Sequence, residues 1–392
     1  MTLPPPKPNR RWANGAVIFI FLAVLWLPTI DKCFNLDTSR PPGENRLPAP
    51  LPRLSALNFI TAQKSINGLE AYFNDHFGFR KKLIRFFQKW KSGLFHDESV
   101  NKSIAGPNHW LFSGEMQMVG HFLGTEKFST SQLQSWQKLL ENRRDWLAAR
   151  GIKFLFVIAP DKQDIYPEEL PAWLVNAVPA MRETKLDQFL QYMKGHSSVV
   201  VVDLRASLIA AKKIAPLYLQ NDTHWNQLGG FIAARELVKT LAQQSPELPP
   251  LNLADFQWTN AETAVTGDLA RMTGSDAAEK NYIQFEPKTN LPVVLSAWNT
   301  NFFSSWDSHT KAMITKNSAA TETLVVFHDS FGMTWWKFLG YSFNKIVFIA
   351  ERREFNPSII TKTKPAIVIN EMLERYFYTT DPEELMAHGA LP

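Results

Sequence analysis

The chain from residue 130 onward alternates short, continuous apolar runs with segments in which apolar residues recur at helical spacing. A continuous apolar run bounded by turn residues is typical of a parallel strand that is buried on both faces. The alternation of such strands with helices predicts a doubly wound α/β sheet. The predicted strands are residues 153–159, 198–204, 323–327, 345–350 and 365–370, and the predicted helices are residues 130–150, 183–195, 205–213 and 228–242.

Three other segments add to this picture. Residues 66–95 have a helical pattern, and residues 106–112 are expected to form a turn that leads into a short strand. Residues 245–323 are rich in Thr, Asn, Ser and Pro, so we expect an insertion of loops and short strands there. We assign residues 56–392 to one α/β domain that carries this insertion.

The N-terminal segment has the pattern of a membrane anchor. Residues 12–30 are largely apolar and would form a helix of about 28 Å, which is just long enough to span a bilayer. Three basic residues and no acidic residue occupy the tail of residues 1–11, so we expect this tail in the cytoplasm. A Pro-rich linker is predicted over residues 31–55. The alternatives are a cleaved signal peptide, for which the following residues are a poor match, and a buried core helix, which the basic flank disfavours.

Composition and charge exclude several classes of protein. The chain has 42 basic and 37 acidic residues, and it has no basic cluster beyond the first dozen residues, so nucleic-acid binding has little support. One cysteine, Cys33, excludes an intrachain disulfide. The nine histidines include no His-x-His pair and no His-Glu-x-x-His motif, and the sequence has no glycine-rich phosphate loop. We therefore expect neither a metal nor a cofactor.

Two short motifs carry the candidate chemistry. Asp222 lies two residues before His224, close to the start of a predicted helix, and Ser330 follows the end of a predicted buried strand. A serine hydroxyl needs a base to take its proton, and the base needs a third group to hold its tautomer. The motifs therefore supply the parts of a Ser-His-Asp hydrolase or acyltransferase. Gly332 would allow a tight turn whose amides face an oxyanion.

Each half of this constellation also has a structural interpretation. His224 could be a polar residue at the helix N-terminus that Asp222 caps, and Ser330 could itself be a helix cap. Asp329, next to the serine, is expected to support the turn rather than to act as the acid of the triad.

The ordered set of short motifs resembles the alginate O-acetyltransferase family of the AlgJ/AlgX type, a group of SGNH-hydrolase-like proteins. The matching motifs span residues 70–376, and six or seven of them in this order form a specific signal. They are residues 73–80, 106–112, 159–171, 222–225, 267–269, 329–332 and 371–375.

The resemblance implies an SGNH-hydrolase-like, three-layer α/β/α fold with a central, mostly parallel sheet, behind the predicted N-terminal transmembrane helix. It implies that Asp222 orients His224, that His224 is the general base and that Ser330 is the nucleophile. It also implies a single-pass protein of the Gram-negative inner membrane with its catalytic domain in the periplasm. There, a membrane-bound O-acyltransferase would supply acetyl groups for an exopolysaccharide.

Two alternative functions remain open. The same triad could serve a polysaccharide acetylesterase or deacetylase. A non-catalytic exopolysaccharide-binding assembly protein is the other alternative, and the intact triad argues against it. Which polysaccharide is used stays open, because relatives of this family serve alginate, cellulose and other polymers.

Three further residues are candidates for substrate binding. Lys162 and Tyr166 follow a predicted strand within one of the family motifs, where ligands of parallel sheets collect, so they could contact substrate or brace the loop. Trp225 follows the base and could stack on a sugar ring or lie in the core. Glu371 also follows a strand in this prediction, and with residues 374 and 375 it is expected to form a structural ion-pair helix.

Overall fold

The computed structural model describes residues 10–34, 36, 49–51, 59–79, 82–83, 86, 103–263, 266–273, 277–288, 294–296, 311–350 and 355–388. The chain divides into two compact units, which are Met1–Glu98 with Arg271–Ser275 and Ser99–Ala270 with Asp276–Pro392. Most of the predicted cytoplasmic tail and of the predicted linker lies outside the described residues.

The first unit contains two long helices, α1 (Arg10–Phe34) and α2 (Phe59–Asp75). Within α1, Asn14–Asp31 is long and apolar enough to cross a membrane, and most of this stretch is exposed rather than packed. Helix α2 differs from the predicted helix over residues 66–95. The prediction is wrong at residues 76–79, because the chain turns there and Phe79 has a positive φ of 56°.

The second unit is built around one large sheet and two hairpins. Strands β1 (Ser103–Ala105) and β2 (Leu111–Ser113) form one hairpin, and β5 (Phe256–Thr263) and β6 (Glu279–Pro287) form the other. The strands of the large sheet are β3 (Lys153–Ala159), β4 (Val200–Asp203), β7 (Val294–Ser296), β8 (Lys311–Lys316), β9 (Thr323–His328), β10 (Lys345–Ala350) and β11 (Ile367–Leu373).

The large sheet has the order β4-β3-β11-β9-β10-β8-β7. Its first five strands are parallel to one another, whereas β8 is antiparallel to both β10 and β7. The segment predicted as an insertion, residues 245–323, therefore adds two strands to the edge of this sheet. The predicted parallel strands at β3, β4, β9, β10 and β11 are confirmed.

The strands are apolar on both faces because helices cover both sides of the sheet. Along β3, Leu155 and Val157 pack into one core, and Phe154 and Phe156 pack into the other. Every residue of β11 is buried. This burial explains why these strands have continuous apolar runs rather than a strict alternation.

Two of the covering helices begin with a reciprocal cap. Helices α4 (Thr130–Ala148) and α7 (Lys185–His196) start at capping boxes whose N-caps are Ser129 and Thr184, and both pack on one face of the sheet. Helix α9 (Gln227–Ala242) packs on the opposite face. These layers confirm the three-layer α/β/α fold.

Further helices among the described residues are α3 (Met118–Leu123), α5 (Lys162–Ile165), α6 (Ala172–Asn176), α8 (Arg205–Ala211), α10 (Asp268–Met272), α11 (Trp336–Leu339), α12 (Pro357–Thr363), α13 (Glu374–Thr379) and α14 (Pro382–His388).

Candidate active site

Asp222, His224 and Ser330 form one continuous hydrogen-bonded chain, although His224 and Ser330 are 106 positions apart in sequence. His224 Nδ1 lies 2.6 Å from Asp222 Oδ1, and His224 Nε2 lies 2.8 Å from Ser330 Oγ. In the tautomer with a proton on Nδ1, the imidazole donates to the carboxylate and accepts from the serine hydroxyl. Ser330 is exposed, so a reaction partner can reach its hydroxyl group.

The loop that carries the acid and the base reverses the chain just before α9. The backbone N–H of Asn226 donates to the carbonyl of Leu217 at 2.8 Å and closes this reversal. The side chain of Asn226 then accepts from the N–H of Gly229 at 3.0 Å and caps α9. The interpretation of Asp222 as a helix cap is therefore wrong, and its carboxylate is turned to His224 instead.

The turn that carries Ser330 is held by its neighbour Asp329. One carboxylate oxygen of Asp329 accepts from the N–H of Phe331 at 2.9 Å. The other accepts from the N–H of Leu373, at the end of β11, at 2.8 Å. Asp329 thus supports the turn, as predicted, and fixes the serine at the carboxyl end of the parallel strands.

The backbone after the serine passes close to the end of β9. A Cβ atom at Gly332 would lie 2.5 Å from the Cβ of His328, so a larger residue does not fit without a shift. Phe331, not Ser330, occupies the N-cap position of the 3-10 helix Gly332–Thr334, so the interpretation of Ser330 as a cap is wrong. The N–H of Phe331 is bound by Asp329, whereas the N–H groups of Gly332 and Met333 stand in the first turn of the 3-10 helix, which gives them no acceptor of its own.

Asp222 is held in its anionic form. Burial alone would raise the pKa of this carboxyl group. The hydrogen bond and charge of His224, together with the backbone N–H groups of Asp268 and His224, outweigh burial and hold the pKa well below its usual range. Asp222 is therefore a fixed negative charge beside the imidazole at neutral pH.

A second carboxylate, that of Asp268, lies against the first. The backbone N–H of Asp268 donates to Asp222 Oδ2 at 2.8 Å, and Asp268 Oδ2 lies 3.9 Å from His224 Nδ1. No role is predicted for Asp268 from the sequence, although it belongs to the motif of residues 267–269. Its motif was the available signal, but the contact with Asp222 depends on how two distant loops fold together.

Asp222, His224 and Asp268 are also the described residues whose side chains could together hold a metal ion. One ligand atom from each lies within 4.8 Å of the others. These atoms already have hydrogen-bonding partners within the protein. An ion bound here would replace the bond between the acid and the base.

Lys162 lies beneath the loop that carries Asp222 and His224. Its side chain is 2% exposed, and its ammonium donates to the carbonyl oxygens of Leu219, Gln220 and Asp222 at 3.0, 3.2 and 2.6 Å. Three acceptors use all three protons of an ammonium group. These contacts favour a role in holding the loop, and a contact with substrate stays a prediction.

Tyr166 and Trp225 are also buried. The hydroxyl of Tyr166 accepts from the N–H of Leu217, and burial raises the pKa of this phenol to about 12. The indole N–H of Trp225 lies 2.9 Å from Thr334 Oγ1 and 3.2 Å from the carbonyl oxygen of Phe331. Both contacts favour bracing over sugar stacking, and substrate binding by either residue stays a prediction.

The predicted ion-pair helix contains Glu374 and Arg375 but not Glu371. Arg375, in α13, pairs with Asp161. Glu371 lies in β11, not in a helix, and its carboxylate accepts from the N–H of Asp329 at 2.8 Å. Glu374 accepts from the N–H of Asp161 at 3.0 Å. The prediction of a helix is therefore wrong for Glu371, because β11 extends through Leu373.

A three-layer α/β/α fold with a serine, a histidine and an aspartate at the carboxyl ends of its strands defines an SGNH-hydrolase-like domain. The chain belongs to the family described as "SGNH hydrolase-like domain, acetyltransferase AlgX", whose model matches residues 104–340. The predicted family is thereby confirmed.

Individual relatives have low sequence identity to this chain. The "Probable alginate O-acetylase AlgJ" of Pseudomonas syringae pv. tomato is 26% identical over 196 residues, which are 48% of this chain and 47% of the relative. The chain thus spans about half the length of the curated relatives it matches. Among solved structures, Bacillus cereus PatB1 with a sulfonyl adduct has a TM-score of 0.53 and 16% identity, covering 72% of this chain and 97% of PatB1. A DHHW family protein from Eubacterium siraeum has a TM-score of 0.50 and 15% identity, covering 67% and 90%. At this identity the likeness shows the fold.

Proposed function

We propose that this protein is an O-acetyltransferase that moves acetyl groups onto an exopolysaccharide through an acetyl-serine intermediate at Ser330. The observation that carries the proposal is the hydrogen-bonded chain from Asp222 through His224 to the exposed serine hydroxyl. Membership of an acetyltransferase family supports the choice of an acetyl group.

In the first half-reaction, His224 Nε2 takes the proton of Ser330 while Oγ forms a bond to the acetyl carbonyl carbon. The bond from that carbon to the donor's leaving group then breaks, and the imidazolium returns the proton to the leaving group. The carboxylate of Asp222 accepts the hydrogen bond from Nδ1–H and stabilises the imidazolium. The N–H of Gly332 is the candidate donor to the developing oxyanion.

In the second half-reaction, a sugar hydroxyl replaces the leaving group. His224 Nε2 takes the hydroxyl proton, the sugar oxygen bonds to the acetyl carbon, and the bond to Ser330 Oγ breaks. The proton then returns to the serine. Water could attack the same intermediate, because the serine is exposed, so acetylesterase activity is expected as a side reaction.

The acceptor and the location are part of the proposal. The curated relatives are named as probable alginate O-acetylases, which supports alginate or another exopolysaccharide as the acceptor. The apolar helix α1 supports a single-pass anchor over residues 12–30 that carries the domain of residues 56–392 on a linker, residues 31–55. In a Gram-negative inner membrane, with the domain in the periplasm, a membrane-bound O-acyltransferase would supply the acetyl groups.

Acetyl transfer can be measured with the full chain in detergent, p-nitrophenyl acetate as donor, and mannuronate or cello-oligosaccharides as acceptors. Mass spectrometry and NMR would locate acetyl groups on the oligosaccharide. The proposal predicts acetylated product with the wild type and none with Ser330→Ala. Removal of acetyl groups from a pre-acetylated polymer, without any gain by an acceptor, would establish the deacetylase instead. Binding of the polymer that is equal in wild type and Ser330→Ala, with no chemistry in either, would favour a non-catalytic binding protein.

A further inference from the structure

Asp268 is bound into the loop of the acid and base from both its backbone and its side chain. Its carboxylate is buried, with 7% of the residue exposed. Oδ1 accepts from the N–H groups of Thr223 and Leu269 at 2.8 and 2.7 Å. Its own N–H donates to Asp222 Oδ2 at 2.8 Å. The backbone of Asp268 thus fixes the catalytic carboxylate, and the side chain fixes the residue between the acid and the base.

Thr223 connects the second carboxylate to the imidazole. The Thr223 hydroxyl donates to Asp268 Oδ2 at 2.7 Å, and its oxygen lies 3.3 Å from His224 Nδ1. A hydroxyl that donates its proton in one direction presents its lone pairs in the other. The Nδ1 atom of His224 therefore has three oxygen atoms near it. Asp222 Oδ1 lies 2.6 Å away, the Thr223 oxygen 3.3 Å away and Asp268 Oδ2 3.9 Å away.

We propose that Asp268 is a positioning residue for the histidine base, which orients Thr223 and Asp222 and adds a second negative charge to the imidazolium that forms during acyl transfer. A partly buried charge about 4 Å from the imidazole is screened less than a surface charge, so it favours the transient imidazolium. This inference rests on the proposed function, since it assumes that His224 takes the proton of Ser330.

The Asp268 carboxylate and the Thr223 hydroxyl can each be tested with a variant of its own. Lys162 and Glu279 are further charged residues that contact this loop. Asp268→Asn keeps the backbone N–H to Asp222 and an Oδ1 that can accept from the N–H groups of Thr223 and Leu269. It removes the charge and replaces Oδ2, the acceptor of the Thr223 hydroxyl, with an NH₂ donor. Thr223→Val keeps both carboxylates and removes only the bridging hydroxyl, whereas Thr223→Ser retains it.

The test is the pre-steady-state release of p-nitrophenol from p-nitrophenyl acetate by the full chain in detergent, measured across pH. We expect Asp268→Asn and Thr223→Val each to slow acylation about ten- to a hundredfold with little change in KM, and Thr223→Ser to stay near wild type. Removing the charge makes the imidazolium less favourable, so the acid limb of the Asp268→Asn profile should move to lower pH. The double variant should be no slower than the slower single variant, because both act through one contact.

Wild-type rates and an unshifted acid limb in a folded Asp268→Asn would overturn this inference, provided that Asp222→Asn is slowed by about 10³- to 10⁴-fold. If Asp268→Asn does not fold, wild-type acylation in Thr223→Val would overturn it equally. Undiminished acylation in Asp222→Asn and Ser330→Ala as well would show that these residues do not carry out the acylation. That result would overturn the proposed function together with the inference.

Discussion

The indole N–H of Trp225, the residue after His224, lies 3.2 Å from the carbonyl oxygen of Phe331, the residue after Ser330. The same N–H lies 2.9 Å from Thr334 Oγ1. The ring of Trp225 also packs edge-on against Phe331, with centroids 4.9 Å apart. One buried side chain therefore connects the backbones of the loops that carry His224 and Ser330, and it sets their separation.

Trp225→Phe should uncouple these two loops. The variant keeps an aromatic ring but leaves the carbonyl of Phe331 without this donor, so we expect about a tenfold loss of acylation rate and a stability loss of about 1–3 kcal/mol. Trp335→Phe is the matched control, because the indole nitrogen of Trp335 is buried without a hydrogen-bond partner among the described residues. Equal rate losses in both variants would show that bulk, and not the hydrogen bond, matters.

Gly332→Ala should distort the turn that carries Ser330. The new methyl group would meet the Cβ of His328 at 2.5 Å, in a part of the core that is tightly packed, so we expect a loss of about 1–3 kcal/mol and reduced acylation. Gly195→Ala, near the end of α7, meets nothing within 4 Å and should be neutral or stabilising by up to about 1 kcal/mol. Thermal unfolding of the two variants compares them directly, and similar effects would contradict this account.

Some strands of the large sheet can be predicted from the sequence, and others depend on long-range pairing. Strands Lys153–Ala159 and Lys345–Ala350 agree with the predicted bounds to the residue, because each is a continuous apolar run that follows an initial lysine. Strand Lys311–Lys316 lacks such a run, and its place in the sheet is set by antiparallel pairing with Lys345–Ala350. No local pattern specifies that partner.

The candidate site divides in the same way. Asp222, His224 and Ser330 stand out because each residue type has chemistry that its neighbours lack. The roles of Lys162 and Asp268 come from carbonyl and amide groups that lie 45 to 60 positions away, so the residues alone do not disclose them. The N-terminal anchor, the linker and their bounds remain predictions.

Lys162→Met should destabilise the domain because three carbonyl oxygens of the loop that carries Asp222 and His224 lose their donor. We expect a cost of about 1–3 kcal/mol at pH 7. Burial lowers the pKa of the Lys162 ammonium from 10.5 to about 8, although the carboxylates of Asp222, Glu279 and Asp268 oppose it.

Between pH 8 and 10.5 the unfolded chain therefore binds more protons at Lys162 than the native state does. Wild type should gain stability over Lys162→Met as pH rises through this window. Urea unfolding at pH 7 and pH 10 tests the sign, with Lys138→Met, on an exposed side chain, as the control. A stability gap that narrows with pH would contradict the lowered pKa.

Glu371→Gln should stabilise the protein at alkaline pH. Burial, reinforced by the charge of Asp329, raises the pKa of the Glu371 carboxyl well above its usual 4.5. The native state then holds a proton that the unfolded chain releases above pH 4.5, so wild-type stability falls as pH rises from there. Glutamine keeps an acceptor for the N–H of Asp329 and has no such titration.

The stability of Glu371→Gln relative to wild type should therefore grow between pH 5 and pH 8. Glu262→Gln, on an exposed position of β5, is the control and should show no such trend. Parallel pH dependences for wild type and Glu371→Gln would rule out a raised pKa at this site.

We propose that Ser330 is the acetylated nucleophile and that His224 activates it. Tandem mass spectrometry of the full chain in detergent after brief exposure to p-nitrophenyl acetate, beside Ser330→Ala and His224→Ala, tests both roles at once. We expect one acetyl group on Ser330 in wild type and none at this position in either variant. An unmodified Ser330 in wild type, with equal p-nitrophenol release by all three proteins, would contradict it.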